Sequence, residues 1–335
     1  MELIYEFLHG TLQVSLKFIN FVRSMTTPSQ RRKGHVSLLL CNTIWGAAVP
    51  VSKFILAGGI ISSKVLADIR ILSGTILFWL ASSVLKSERE ERVEKGDYFK
   101  LFQAAFFSTA LVQLFYMKGI SLSSPAEAAI CMATLPIWTV IMSALHLRER
   151  VDARKVGGII IGMSGTLLLA LYGRTFTSGG SLSGIACCLL SQISYGVYLV
   201  FFQDIIKKYS PITLMKWKYL FGLVMLLPFS IREVLLTQWA LLSPRVWLAI
   251  GFVIIFSTFI SYFLVPFGQK YLQPTTVAMY NNLQPVAASL IAVAASQESP
   301  SIVKAAAMLL VFLGVFLVSR RGGNQGRNLF SSKNA

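Results

Sequence analysis

Charge is what this sequence has least of. Only 13% of its 335 residues are charged, and acids are the rarest, with 14 Asp and Glu against 31 Lys and Arg. Soluble domains carry about 25% charged residues, so a chain this poor in charge is not built to face water on all sides. Histidine is scarce as well: His9, His35 and His146 are the only three. The four cysteines, Cys41, Cys131, Cys187 and Cys188, all fall in apolar runs and read as small buried hydrophobes rather than as a disulfide or metal framework. There is no glycine-rich phosphate loop, no carboxylate dyad and no clustered metal-ligand spacing, so neither an enzyme nor a cofactor is expected. The stretch Gly162-Met163-Ser164-Gly165 superficially matches a serine-nucleophile loop, but each of the three histidines lies at the end of an apolar run or outside one, which leaves it without a base.

What the chain has in abundance is apolar length. Hydrophobic residues make up 55% of it, and runs such as 37–56, 71–85, 159–171 and 309–318 sit in helix-length stretches nearly free of charge. About 20 such residues, at 1.5 Å rise each, cross a bilayer core. The pattern predicts an all-α integral membrane protein with ten transmembrane helices, at 35–57, 62–85, 97–118, 124–147, 151–173, 180–206, 211–235, 244–269, 274–296 and 299–319. Connections are short, and the one between spans 2 and 3 is a mixed-charge turn too small for a domain.

The basic excess belongs to topology. Twenty of the 31 lysines and arginines fall in the two termini and on one side of the loops, six fall on the other side, and the rest lie within spans. That asymmetry places both termini in the cytoplasm. No separate basic domain exists, so nucleic acid is not an expected partner. Residues 1–34 form an N-terminal extension, either an interfacial helix or a stretch upstream of a true start at Met25; the flanking Arg31, Arg32 and Lys33 favour the second. Residues 322–335 are a cytoplasmic tail.

The chain also resembles itself. A shift of 149 positions superposes Gly119 on Gly268, Pro125 on Pro274, Ala129 on Ala278, Pro136 on Pro285, Glu149 on Glu298, Lys155 on Lys304 and Gly165 on Gly314. Shifts of 148 and 150 set Arg70 on Lys218, Gly74 on Gly222 and Trp45-Gly46 on Tyr195-Gly196. The two units, 35–173 and 174–321, each hold five spans. An odd number inverts the second unit, the arrangement that lets two similar halves open a midplane site to either side in turn.

Polar side chains inside the spans are the candidates for that site, because they are costly against lipid. Lys53, Lys100 and Glu127 lie near span ends, where snorkelling accounts for them. Asp68 and Arg70 lie deeper in span 2 and point to different faces; Lys216, Trp217 and Lys218 occupy the related positions of span 7. Asp68 or Glu127 is a candidate proton carrier. Uncharged candidates are Asn42 and Trp45, Gln113 and Tyr116, Tyr195 and Tyr198, Tyr262, and the run Tyr280-Asn281-Asn282-Leu283-Gln284-Pro285 in span 9. Single polar residues usually only join helices. Three amides beside a proline make a distortable segment at mid-depth, so span 9 is expected to line the site. The substrate-binding set is Asn42, Trp45, Arg70, Gln113, Tyr116, Tyr195, Tyr198, Lys216, Trp217, Tyr280, Asn281, Asn282 and Gln284. Gly157, Gly158, Gly162 and Gly165 predict a close helix crossing for span 5.

Several of these residues also carry a family resemblance. Asn42-x-x-Trp45-Gly46 with Pro50, Arg70, Ser124-Pro125 with Pro136, Leu147-Arg148-Glu149-Arg150 before a glycine-rich span, and Gln273-Pro274 through Gln284-Pro285 resemble the EamA-type branch of the drug/metabolite transporter superfamily, over residues 25–321. The resemblance implies two inverted five-helix repeats and a central cavity lined by the first four helices of each. It also implies export of amino acids or related metabolites from bacterial cells, with spans 5 and 10 peripheral. The second half lacks the arginines of Leu147 to Arg150 at Gln297-Glu298-Ser299-Pro300, consistent with an external loop there. The expected function is therefore secondary transport of an amino acid or organic acid across a bacterial inner membrane. The alternative is a non-transporting sensor or assembly protein with the same fold. Without a nucleotide-binding motif, any driving force comes from a gradient. The partners expected are a small-molecule solute and the lipid bilayer; a homodimer stays open.

Overall fold

A computed structural model describes residues 30–85, 91–122, 125–148, 151–172, 182–294 and 301–319. The expectations placed on residues 1–29, on Glu149 with Glu298, and on the side chains of Lys53 and Glu127 fall outside that description.

The described residues are helical throughout, with short turns and no strand. In chain order they form α1 (Gln30–Ala57), α2 (Ser63–Val84), α3 (Asp97–Ala105), a π-helical segment (Phe106–Ala110) and α4 (Leu111–Leu122). Then come α5 (Pro125–Ala133), α6 (Leu135–His146) and α7 (Ala153–Leu171). The second half holds α8 (Leu182–Phe201), α9 (Gln203–Lys208), α10 (Pro211–Leu236) and α11 (Pro244–Phe252). A second π-helical segment (Val253–Ile260), α12 (Ser261–Tyr271), α13 (Pro274–Tyr280), α14 (Leu283–Ala294) and α15 (Ile302–Ser319) complete it. Among the described residues, six stretches are long and apolar enough to cross a membrane: Gln30–Ala57, Ser63–Val84, Leu182–Phe201, Pro211–Leu236, Pro244–Tyr271 and Ile302–Ser319. At 97–122, 125–146 and 274–294, where further spans are expected, the helices are shorter pieces joined end to end.

Local sequence explains where helices start and break. Ser62, Ser210 and Ser243 cap α2, α10 and α11 by accepting from the backbone N–H three residues on. In α10, α11 and α13 a proline then takes the first helical position, where its missing N–H costs nothing. Past α1 the chain turns at Gly59, whose φ of 68° lies in the left-handed region that favours glycine. The breaks between α5 and α6 and between α13 and α14 have one cause. Pro136 and Pro285 cannot donate to the carbonyls four residues before them. The chain there tightens into three-residue bonds, Thr134 N–H to Cys131 O at 3.0 Å in the first and Gln284 N–H to Asn281 O at 3.1 Å in the second.

Helices of one half pack on helices of the other: α2 on α10, α4 on α8, α1 on α12 and α14, and α7 on α15. The α7–α15 crossing is close enough to need glycine on both sides, since a Cβ on Gly314 would stand 2.5 Å from Gly162 Cα. Ion pairs join the halves at their ends. Lys64 meets Glu233 at 2.6 Å, while Lys208 meets Asp97 at 2.6 Å and Glu94 at 2.7 Å. Lys208 is the last residue of α9, and hydrogen bonds to those two carboxylates hold its ammonium well above the usual lysine range.

Candidate functional site

A cavity of about 90 Å³ lies between the two halves. Ala67, Arg70 and Ile71 of α2 line it, with Ser108 and Thr109 of the first π segment and Val112 and Gln113 of α4. Lys218 and Tyr219 of α10 and Tyr262 of α12 close the remaining side. Two basic side chains face this space, and among the described residues no carboxylate does. The Arg70 Nε donates to Thr258 Oγ1 of the second π segment at 3.3 Å. Lys218 is 5% exposed, and its Nζ stands 4.1 Å from the centre of the Tyr198 ring. Tyr198 is itself buried and donates its hydroxyl to Gln269 Oε1 at 3.1 Å. No hydrogen bond or ion pair to Lys218 is made among the described residues; its contact is with a ring face, which attracts a cation without neutralising it.

The aromatic wall is braced from behind. Tyr262 meets Tyr219 edge-on at 5.4 Å and Trp45 edge-on at 5.2 Å. Trp45 Nε1 in turn donates to the Ser257 carbonyl at 2.9 Å. Because a π-helical segment holds one extra residue per turn, it shifts the hydrogen-bond ladder and frees carbonyls such as this one for side chains.

The lining comes in related pairs. Arg70 and Lys218 are 148 residues apart, as are Ile71 and Tyr219, and Gln113 and Tyr262 are 149 apart. The two π segments also correspond: Phe107-Ser108-Thr109 and Phe256-Ser257-Thr258 are the same tripeptide at a shift of 149. That identity was the signal in the sequence for Ser108, Thr109 and Thr258, which the expected set omits.

Of the expected residues, Arg70 and Gln113 line the cavity, and Trp45 and Tyr198 touch residues that do. Tyr195 stacks on Tyr198 at 5.8 Å, and Tyr116 lies within electrostatic reach of Arg70. The others lie elsewhere. Gln284 Nε2 donates to Asn42 Oδ1 at 3.1 Å, and Asn42 Nδ2 donates to the Leu38 carbonyl at 2.8 Å. Tyr280 OH and His35 Nδ1 share a hydrogen bond of 2.8 Å, Asn282 is buried against Met279, and Asn281 is half-buried at the helix break. Lys216 donates to Ser82 Oγ at 2.8 Å and lies over the Trp79 ring, while Trp217 packs against Trp79 and Tyr98. The physical reason is helical geometry: two residues on, at about 100° each, the side chain points to the other face, so Lys218 enters the cavity and Lys216 leaves it. Asp68 is buried outside the cavity, with Oδ2 unpartnered among the described residues and with Ser230, Glu233 and Lys64 around it.

The family model described as "EamA-like transporter family" matches residues 32–171 and matches again over 182–320. The chain belongs to this family. It is similar to an "Uncharacterized transporter" of Archaeoglobus fulgidus, 27% identical over 292 residues that cover 86% of this chain and 99% of that protein. It is similar also to the "Uncharacterized inner membrane transporter YicL" of Salmonella typhimurium, at 23% identity over 86% of this chain and 95% of that one. A solved crystal structure at 19% identity superposes with a TM-score of 0.70, covering 88% of this chain and 99% of the other, which shows a shared fold. As an EamA-like transporter with several apolar membrane-length helices, the chain is a multi-pass membrane protein and not an enzyme. Small solutes and the lipid around its helices are the partners that membership implies.

Proposed function

We propose that this EamA-like protein is a secondary transporter that carries a small carboxylate-bearing metabolite, an amino acid or organic acid, by alternating access and in the direction of export. The observation that carries the reading is the cavity between the halves, with Arg70 and Lys218 at related positions facing one small space. Its volume of about 90 Å³ suits a metabolite and falls short of the ~300–1,000 Å³ of drug-sized pockets. Arginine is suited to a carboxylate, because its planar fork bonds both oxygens at once. Two halves matched by one family model, packed on each other, supply the symmetry that alternating access uses. The proposed arrangement is ten transmembrane helices in two inverted five-helix repeats, set in a bacterial inner membrane with both termini in the cytoplasm. Supporting that orientation, the basic residues crowd one side of the loops.

Purified protein in proteoliposomes tests the reading. Carboxylate-bearing solutes are expected to cross faster than in protein-free liposomes, and Arg70→Gln is expected to lower that flux at least about tenfold while the protein stays folded. A flux that Arg70→Gln leaves intact would assign the arginine a structural role. No flux of any solute would remove transport itself.

A further inference from the structure

We propose that the solute is a small organic dianion with an acidic group at each end, and that a free ammonium excludes a molecule from the site. This rests on the transporter reading and narrows its substrate class. Three observations support it. The cavity walls hold two basic side chains and, among the described residues, no carboxylate, so a zwitterion would bring its ammonium towards Arg70 and Lys218 with no described group of opposite sign to receive it. Lys218 is nearly fully buried, with the Tyr198 ring its described contact. A charge taken so far out of water needs a counter-ion, and a single carboxylate engaged with Arg70 does not supply one to Lys218. The site is also two-ended in its chemistry, since Arg70 with Ile71 and Lys218 with Tyr219 are related positions of the two halves, and Gln113 pairs in the same way with Tyr262. Such a cavity fits a molecule whose two ends are alike. The polar side chains that share the lining, Ser108, Thr109 and Gln113, can donate to the remaining oxygens of the acidic groups without adding charge.

Four probes of similar size separate the possibilities: succinate with two carboxylates, butyrate with one, aspartate with an added ammonium, and glycerol phosphate with both charges on one group. Binding is read as the rise in unfolding temperature of the detergent-purified protein and as competition for flux in proteoliposomes. Succinate is expected to bind at least about tenfold more tightly than butyrate, which lacks the second charge-assisted interaction, and than aspartate, whose ammonium meets the two basic side chains. Lys218→Gln is expected to reduce the preference for succinate over butyrate to about twofold or less. If that variant fails to fold, Arg70→Lys, which keeps the charge but loses the fork, should weaken succinate and butyrate alike and leave their ratio unchanged. Tightest binding by aspartate, by butyrate or by a cationic or neutral solute overturns the proposal, as does an unchanged ratio in Lys218→Gln. Tightest binding by glycerol phosphate overturns the two-ended form. If succinate binds with the expected ratio but no solute is carried, the dianion site stands and the transport reading fails. If an amino acid is carried, transport stands and the dianion site fails.

Discussion

Trp45 shows how one side chain can shape a cavity it does not line. Its Nε1 donates to the Ser257 carbonyl at 2.9 Å, and its ring holds Tyr262 from behind at 5.2 Å. Trp45→Phe keeps an aromatic ring but removes the donor, leaving a carbonyl in the π segment without it. A loss of about 1–2 kcal/mol in thermal stability is expected, together with a weaker apparent affinity for solute as Tyr262 shifts. An unfolding midpoint and a KM both unchanged in Trp45→Phe would show that the wall holds itself. Arg70 was legible from the sequence because an arginine deep in an apolar span has few harmless explanations. Lys216 and Lys218 were harder, since spacing places them on different faces without saying which face looks inward. For the amides the ambiguity is chemical: a buried Asn or Gln must hydrogen-bond, and Gln284 with Asn42 does so inside the protein. Sequence does not distinguish that use from solute binding.

Elements show the same division. The breaks before Leu135 and near Asn281 were legible in Pro136 and Pro285, because a missing N–H has a fixed consequence four residues back. The π segments at Phe106–Ala110 and Val253–Ile260 were not, since a single extra residue in a helical turn leaves composition and hydropathy unchanged. Only the repeated Phe-Ser-Thr hinted that the two stretches share a job. The glycines of span 5 were readable as a close crossing, and α7 meets α15 at Gly158, Gly162 and Gly314. Neighbouring glycines there should respond with opposite signs. Gly314→Val puts its Cβ within 2.5 Å of the Gly162 backbone, which no rotamer relieves, so destabilisation of about 1–3 kcal/mol is expected. Gly157 has no atom within 4 Å of an added Cβ, so Gly157→Ala should be neutral or stabilising by up to about 1 kcal/mol through helix propensity. Unfolding midpoints in one detergent check both, and equal shifts for the two would mean that the crossing does not discriminate between them.

At the scale of the whole molecule, the halves meet twice in different ways: through apolar packing along their length and through ion pairs at their ends. The packing is extensive and buried, whereas Lys64 and Glu233 remain 53% and 39% exposed. An exposed pair adds little to stability, because water and salt screen it. It can still bias two conformations that differ in whether the ends touch, since a shift of populations needs only a small difference in free energy. Lys64 stands in the first turn of α2 and Glu233 in the last turn of α10, with Ser62 also donating to Glu233 at 2.9 Å. Under the proposed orientation this end faces outside. If alternating access separates α2 from α10 there, Glu233→Gln should favour the outward-open form. Leu66, 6% exposed and about half a turn deeper in α2, is the reporter. With the four native cysteines replaced, Leu66→Cys should react faster with a membrane-impermeant thiol reagent added outside intact cells when Glu233→Gln is present. Raising the salt concentration should give the same acceleration with Glu233 intact and add little in its absence. A rate indifferent to both changes would show that the pair does not hold this end shut. Reaction only after the cells are opened would show that the end faces the cytoplasm and reverse the orientation.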